Sequence, residues 1–244
     1  MSKTRIFQKT NLEVGQTIEL DDKNFGHAIR VLRLKEGDPL TIFNGEGGEF
    51  LAKISQITKK TAFAQLTELL KINIESPLNI WLAQGISRGD KMDLTIQKAT
   101  ELGVKKIIPM FTERCGVKLT GERLDKKLSH WQSVAISAAE QSGRTKIPEV
   151  VTAIDFRNFI ENEKTLQKYI LNPKSSTTTK SLKIDQKDPI VLAIGPEGGF
   201  SNQEIQIAEM HNFFSLSLGP RVLRTETAGI AAILALQTIF GDIG

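Results

Sequence analysis

Apolar and polar positions follow two regimes along this chain. Up to about residue 72 the apolar residues come in short runs of β-branched or aromatic character: Thr17–Leu20, Leu40–Phe43, Phe50–Ile57 and Thr61–Leu66. Glu36-Gly37-Asp38-Pro39 and Asn44-Gly45-Glu46-Gly47-Gly48 separate them as turns. One helix, from about Asp22 to Leu32, is expected to interrupt the strands. Many short strands with glycine turns predict a small β-barrel. The pattern changes around Asn73–Pro77. From there candidate strands Ile80–Gly85, Lys106–Met110, Lys168–Leu171, Ile190–Ile194 and Phe214–Leu218 alternate with helices. The helix over Lys91–Leu102 places Met92, Ile96 and Ala99 on one face, with Asp90 as its N-cap and Gly103 as its stop. A second helix, Glu122–Gln141, carries a stripe of Leu124, Leu128, Trp131, Ala135 and Ala138. A third, Thr227–Phe240, is apolar nearly all round and must be buried on most sides. This alternation predicts an α/β domain, a parallel sheet with helices on both faces, over residues 73–244, after a β-rich domain over 1–72. The polar run Lys174–Ser181 reads as a surface loop.

Composition narrows the class without naming a function. The chain has 244 residues, 40% hydrophobic and 25% charged, ordinary values for a protein that buries a core. A net charge of +4 permits a polyanionic partner. Residues 1–72 carry 11 basic and 9 acidic side chains and residues 73–244 carry 21 and 19, so neither part stands out as an electrostatic arm. Cys115 is the single cysteine, which excludes an intrachain disulfide, and with three scattered histidines no metal site is expected. Met1–Arg5 leads into no apolar segment, and no apolar run reaches the length of a membrane span. The expected compartment is the cytoplasm, with no membrane partner.

Chemistry concentrates in two turns. Gly195-Pro196-Glu197-Gly198-Gly199-Phe200 follows the apolar run Ile190–Ile194 and precedes Ser201-Asn202-Gln203-Glu204, a capping box that opens a helix. A glycine-rich turn with one carboxylate therefore sits at the carboxyl end of a buried strand, where open α/β sheets bind ligands. Gly198 and Gly199 can adopt positive φ and bare the backbone to a ligand. A tight turn that binds nothing is the competing account. The second turn, Gly219-Pro220-Arg221-Val222-Leu223-Arg224-Thr225-Glu226-Thr227-Ala228, packs two arginines, a glutamate and two threonines between a strand and the apolar last helix. Charge at the mouth of a buried helix is either functional or a cap network between arginine and glutamate.

These two turns together resemble the signature of the bacterial 16S ribosomal RNA uridine-N3 methyltransferases, S-adenosylmethionine enzymes of the SPOUT superfamily. Further matches are Arg5-Ile6-Phe7, His27-Ala28-Ile29-Arg30-Val31-Leu32-Arg33, Gln97-Lys98-Ala99-Thr100-Glu101-Leu102-Gly103, Thr112-Glu113-Arg114 and Ala139-Glu140-Gln141-Ser142-Gly143-Arg144. The ordered set spans both ends and the middle. Cys115 and Gly116 depart from the family pattern, where a small hydroxyl residue and a branched one are expected. The resemblance implies a PUA-like barrel at the N-terminal side, a trefoil knot in the second domain, a homodimer, and 16S rRNA within the 30S subunit as partner. It implies S-adenosylmethionine held by three loops: the turn after Leu171, the turn Ile194, Gly195, Pro196, Glu197, Gly198 and Gly199, and the segment Leu218, Gly219, Val222 and Leu223.

Methyl transfer from a sulfonium donor needs no nucleophile built by the protein. It needs donor and acceptor in line and a proton removed from uridine N3, with positive charge near the uracil oxygens. Arg221 and Arg224 are candidates for the charge. Glu197 and Glu140 are candidates for orienting the base or taking the proton; Glu226 reads instead as a first-turn carboxylate facing its own helix dipole. Arg5, His27, Arg30, Arg33, Arg114 and Arg144 are candidate RNA contacts, against solvated surface charge as the plainer account. His130 and His211 carry no assigned chemistry, Trp81 and Trp131 fit core positions, and Gly45–Gly48 fits a hairpin loop. Two other functions stay open: methylation of another RNA site, such as a ribose hydroxyl or a tRNA base, and a non-catalytic role in ribosome assembly.

Overall fold

A computed structural model describes residues 4–244; Met1–Lys3, the start of the Met1–Arg5 segment read above, lie outside the described residues. The chain packs into two units. The first takes in residues up to Glu75 together with Ala139–Ile147, and the second Ser76–Ala138 together with Pro148–Gly244.

In the first unit β1 (Arg5–Phe7), β2 (Thr17–Glu19), β3 (Pro39–Phe43), β4 (Glu49–Ile57) and β5 (Ala62–Leu70) form one sheet in the order β1-β3-β4-β5-β2. The strand β1 has no legible pattern in three residues. It exists because it pairs in parallel with β3, Ile6 opposite Ile42, and both side chains are fully buried. The helix expected over 22–32 is two pieces. Asp21 caps α1 (Asp22–Phe25) by accepting the Asn24 N–H, and Gly26–Val31 then winds as a π-helix. Apolar spacing over six residues cannot distinguish the wider turn from an α turn. Gly45, Gly47 and Gly48 all have positive φ between β3 and β4, the conformation a tight hairpin connection requires.

The second unit is built on a fully parallel sheet. Its strands are β6 (Ile80–Gly85), β7 (Lys106–Phe111), β8 (Glu149–Val150), β9 (Ile154–Asp155), β10 (Gln167–Leu171), β11 (Ile190–Ile194) and β12 (Phe214–Leu216), in the order β12-β10-β11-β6-β7-β8, with β9 also on β7. Alternate residues of the central strand face opposite layers. Ile190, Leu192 and Ile194 join a core with α2 (Lys91–Glu101), α3 (Gly121–Ser142) and α6 (Thr225–Phe240). Val191 and Ala193 join a second core with α4 (Phe156–Asn162) and α5 (Asn202–Met210). That two-sided burial is why β11 reads as an unbroken apolar run.

The last helix begins at Thr225, two residues before the expected start, and two other helix expectations are not met. Asp90 makes no side-chain cap to α2, because its own backbone is already helical rather than extended. The last helix is less enclosed than its composition suggests: Leu234 and Ile239 are 41% and 46% exposed, while the polar Gln237 is fully buried. Gln237 is satisfied there, its Nε2 donating to the Leu102 carbonyl at 2.7 Å and its Oε1 accepting from Ser76 Oγ at 2.8 Å. The polar run 174–181 stays largely exposed but is anchored to the sheet edge, since the Ser217 N–H donates to the Thr177 carbonyl at 2.8 Å.

Candidate functional site

A cavity of about 870 Å³ opens at the carboxyl ends of β10, β11 and β12. Three loops line it: the turn after Leu171, the turn 195–200, and the segment 217–223. All eleven residues named from the sequence as cofactor contacts lie on its wall, and so do Arg114 and Arg221. Its size is that of a pocket for a small organic ligand, and its wall mixes bare backbone with a few polar side chains.

The turn 195–200 is held from several sides. Gly199 has φ +64 with open space where a side chain would start, so it alone of the glycine pair uses left-handed backbone. Gly198 does not, which corrects the expectation for that residue. A Cβ on Gly198 would lie 2.9 Å from Arg114 Cβ, so its bareness admits the Arg114 loop. Arg114 in turn donates from Nη1 to the Gly198 carbonyl at 3.1 Å. Gly85, at the end of β6, has Pro196 so close that a Cβ there would sit 2.6 Å from the Pro196 nitrogen. Beneath the turn, fully buried Gln84 donates from Nε2 to Thr225 Oγ1 at 3.0 Å, and Thr225 Oγ1 donates to the Gly195 carbonyl at 2.5 Å. The start of α6 and the end of β11 are thereby pinned to one amide. The capping box at α5 is complete, and its Glu204 also accepts the Glu113 N–H at 2.8 Å, drawing the 112–114 loop toward the same turn.

Glu197 is the carboxylate of this wall. Burial alone pushes its carboxyl up, but the Arg88 N–H at 2.9 Å, its own backbone N–H and Lys91 Nζ at 3.4 Å together hold it below the ordinary range. Its first partners are thus in the chain, and it is ionised at neutral pH. Arg221 is exposed on the wall. Arg224 is exposed as the residue preceding α6 and makes no cap bond to it, so no Arg224–Glu226 network forms. Glu226 sits in the first turn with Oε2 buried and unpartnered.

Three assignments made from sequence are corrected in the first unit. Arg5 is not available to a polyanion. Its Nε donates to Glu49 at 2.8 Å, and its two terminal nitrogens donate to the carbonyls of Ala139, Glu140, Gly143 and Arg144 at 2.9–3.2 Å. Arg144 is 3% exposed and forms a buried pair with Glu75, with Nη2 to Oε2 at 2.6 Å. Glu140 accepts the Phe7 N–H at 2.8 Å, a structural bond that binds residues 139–147 to β1. His27, Arg30 and Arg33 remain exposed, with Arg30 stacked over the Phe25 ring at 5.1 Å and Arg33 at φ 57. Trp131 is core, and Trp81 is half-buried beneath Lys106 Nζ at 4.5 Å. His130 pairs with Asp93 at 2.6 Å.

Sequence reasoning named the turn after Leu171 but not its Asn172, quoted Asn202 only as part of a capping box, read Lys174 as surface loop, and missed Thr225 on the cavity wall and Gln84 behind it. Thr225 stood inside the second turn motif, as Asn202 stood inside the capping box, without being singled out. Gln84 reads as one polar residue in an apolar strand, and that anomaly could have marked it. Among the described residues no group of three or more His, Cys, Asp or Glu side chains could hold a metal, and no helix is long and apolar enough to cross a membrane.

Comparison with known proteins finds two family matches. Residues 74–237 match the RNA methyltransferase domain family and residues 20–67 match the RNA methyltransferase PUA domain family. The chain is 41% identical over 239 residues to Ribosomal RNA small subunit methyltransferase E of Buchnera aphidicola, covering 98% of this chain and 94% of the relative. It is 36% identical to the protein of that name from Rickettsia conorii, covering 98% and 97%. Among solved structures, Ribosomal RNA small subunit methyltransferase E from Neisseria gonorrhoeae bound to S-adenosyl methionine is similar at a TM-score of 0.92 and 40% identity, over 99% of this chain and 100% of that one. A Legionella pneumophila chain solved with SAM bound is similar at 0.96 and 43%, over the full length of both.

Proposed function

We propose, from the premise that this chain belongs to the RNA methyltransferase family and carries that family's PUA domain, that it methylates N3 of a uridine in the decoding region of 16S rRNA. S-adenosylmethionine is the methyl donor in this reading, as its similarity to chains solved with that cofactor supports. The carrying observation is the cavity. Its volume suits a ligand of that size, and every residue that the resemblance assigned to the cofactor lies on its wall.

The residues present fit such a group. Open space beside Gly199 and Gly219 lets an adenosine and its tail approach main-chain atoms, while the missing side chain of Gly195 admits the backbone of residues 199–200. Leu171, Ile194, Leu218 and Leu223 supply the apolar wall, and the backbone of the three loops supplies polar contacts. When bound, the sulfonium supplies an activated methyl group, so the protein's part is positioning and charge. Gln84 and Thr225 fix the floor of the site by fixing the Gly195 carbonyl. Glu197, ionised and already bonded to the Arg88 N–H, keeps the 195–199 turn tied to the loop after β6. Arg221, exposed on the wall, and Arg224, exposed at the start of α6, stabilise negative charge on the uracil oxygens as N3 loses its proton. Residues 20–67 hold RNA through His27, Arg30 and Arg33 in this reading. The exposed Leu234 and Ile239 of α6 support a homodimer, in which a second copy covers them. The cytoplasm and the 30S subunit are the compartment and substrate that follow.

Nucleoside mapping tests the reading. Ribosomal RNA from a deletion strain should lack 3-methyluridine, and purified protein with S-adenosylmethionine should restore it on small subunits. Persistence of 3-methyluridine alongside loss of a ribose or tRNA mark overturns the assigned site. Failure of calorimetry to detect S-adenosylmethionine binding overturns the enzyme reading altogether.

A further inference from the structure

The loop between β6 and α2 carries an arginine that neither the sequence motifs nor the cavity wall includes. Arg88 is exposed, yet it is not loose. Its guanidinium is set edge-on against the main chain at Gly116: a Cβ added to Gly116 would fall 2.3 Å from Nη2, 2.4 Å from Nε and 2.6 Å from Cζ, so the Nε/Nη2 edge fills the side-chain space. Nε donates to the Gly116 carbonyl at 3.2 Å. Among the described residues, neither terminal nitrogen has a hydrogen-bond partner, and no carboxylate lies within 4.0 Å of the group.

That last fact is unusual given the neighbourhood. Glu197 is close enough to accept the Arg88 backbone N–H at 2.9 Å, and an exposed arginine ordinarily turns to such a carboxylate. Here Glu197 is served by the backbone and by Lys91 instead. The guanidinium is held aside by its Nε/Nη2 edge, which leaves its outer Nη1/Nη2 end unpaired. A long side chain normally loses rotamer freedom when it grips a ligand, and one already laid on a bare main chain loses less.

We propose that Arg88 is a pre-set grip for an RNA phosphate, that Gly116 exists to seat it, and that Lys91 and Arg114 complete a basic rim around Glu197. This rests on the RNA methyltransferase reading above and extends it to the substrate backbone. The same fork could take a carboxylate of the cofactor. The position argues for the polymer: Arg88 lies outside the set of residues that line the cavity, reaching it only through the main-chain bond to Glu197. A ligand contained in the cavity does not meet it, whereas a strand laid across the rim does.

Gly116→Ala separates the seat from the charge. The atoms it would strike are the tip of a flexible side chain, and Gly116 does not use left-handed backbone, so the variant folds and simply evicts the guanidinium. The experiment measures binding of the full chain to naked small-subunit rRNA at several salt concentrations, with S-adenosylmethionine affinity and thermal midpoint on the same preparations. Arg88→Ala and Gly116→Ala are each expected to weaken RNA binding roughly three- to tenfold, with S-adenosylmethionine affinity and midpoint unchanged. Arg88→Ala should also reduce the slope of log K against log salt by about 0.7–1, one phosphate's worth. The double variant should bind like Arg88→Ala alone, since the two changes remove one contact. RNA binding by Gly116→Ala at wild-type strength overturns the seat, and unchanged binding by Arg88→Ala overturns the grip. A loss confined to S-adenosylmethionine affinity makes the partner the cofactor and overturns the proposal. Wild-type protein that binds neither RNA nor S-adenosylmethionine defeats the underlying reading as well, which the variants failing alone does not.

Discussion

Thr225→Val is the sharpest probe of how the cavity floor is held. Valine has the shape of threonine and replaces the hydroxyl by a methyl. Two hydrogen bonds vanish, one accepted from Gln84 Nε2 at 3.0 Å and one donated to the Gly195 carbonyl at 2.5 Å. Neither former partner is wholly stranded: Gln84 Nε2 keeps the Gly85 carbonyl at 3.0 Å, and the Gly195 carbonyl keeps Gln84 at 3.4 Å. The loss is then about 0.5–1.5 kcal/mol per bond, or about 1–3 kcal/mol together. A domain of this size loses about 2–4 °C per kcal/mol, so the midpoint should fall by roughly 2–12 °C. A second effect is geometric. A methyl carbon cannot stay 2.5 Å from a carbonyl oxygen; contacts of that type settle near 3.3 Å, so the Gly195 carbonyl must retreat by about 0.8 Å. Since Gly195 and Pro196 line the cavity, S-adenosylmethionine affinity should drop about tenfold or more. Thr225→Ser keeps both bonds and should restore affinity. Calorimetry and thermal unfolding on the three proteins decide the matter. A valine variant that melts lower but binds S-adenosylmethionine within twofold of wild type would refute the claim that this hydroxyl sets the site.

Other outcomes follow from single residues. Arg224→Lys keeps the charge but loses the planar fork, and single-turnover methylation should slow about a hundredfold or more with S-adenosylmethionine affinity changed only a few-fold and the midpoint intact; an unchanged rate on saturating small subunits removes Arg224 from the chemistry. The lowered carboxyl of Glu197 contributes stability that is fully present above its unperturbed value of 4.5 and disappears as pH falls through the lower folded value. The midpoint gap between wild type and Glu197→Gln should therefore be constant from pH 7 to about 5 and close on further acidification; a gap that widens there contradicts the sign. Glu75→Gln leaves the buried Arg144 charge without its carboxylate and should cost about 3–5 kcal/mol in urea unfolding. Sedimentation at micromolar concentration should give a dimer, and a fully active monomer would count against the covered face of α6.

What the sequence made legible was what local pattern can encode. The run Ile190–Ile194 and the box Ser201–Glu204 are each decided within a few residues, and both appear as expected. The cavity wall was legible because three short loops at strand ends carry it. Arg5 and Arg144 were misread for the opposite reason. An arginine buried by residues well over a hundred positions away, or by one 69 positions away, looks in sequence the same as one facing solvent. Gly116 is a case of meaning supplied wholly from elsewhere, since its missing side chain matters only because Arg88 fills the space. Asp90 shows that residue type alone does not make a cap; the residue's own backbone must be extended as well.

The discontinuity of the first unit imposes a timetable on synthesis. Its strands are complete once Leu70 has left the ribosome, but the ring of carbonyls that receives Arg5 belongs to residues 139–144. At about 5–20 residues per second, the interval between Glu75 and Ile147 lasts roughly 4–15 s. Throughout it the nascent sheet carries an arginine with one partner, Glu49, in place of five. Glu75 likewise waits for Arg144. A fragment ending at residue 75 is permanently arrested at that stage, and should be rescued by a peptide spanning 139–147 supplied in trans.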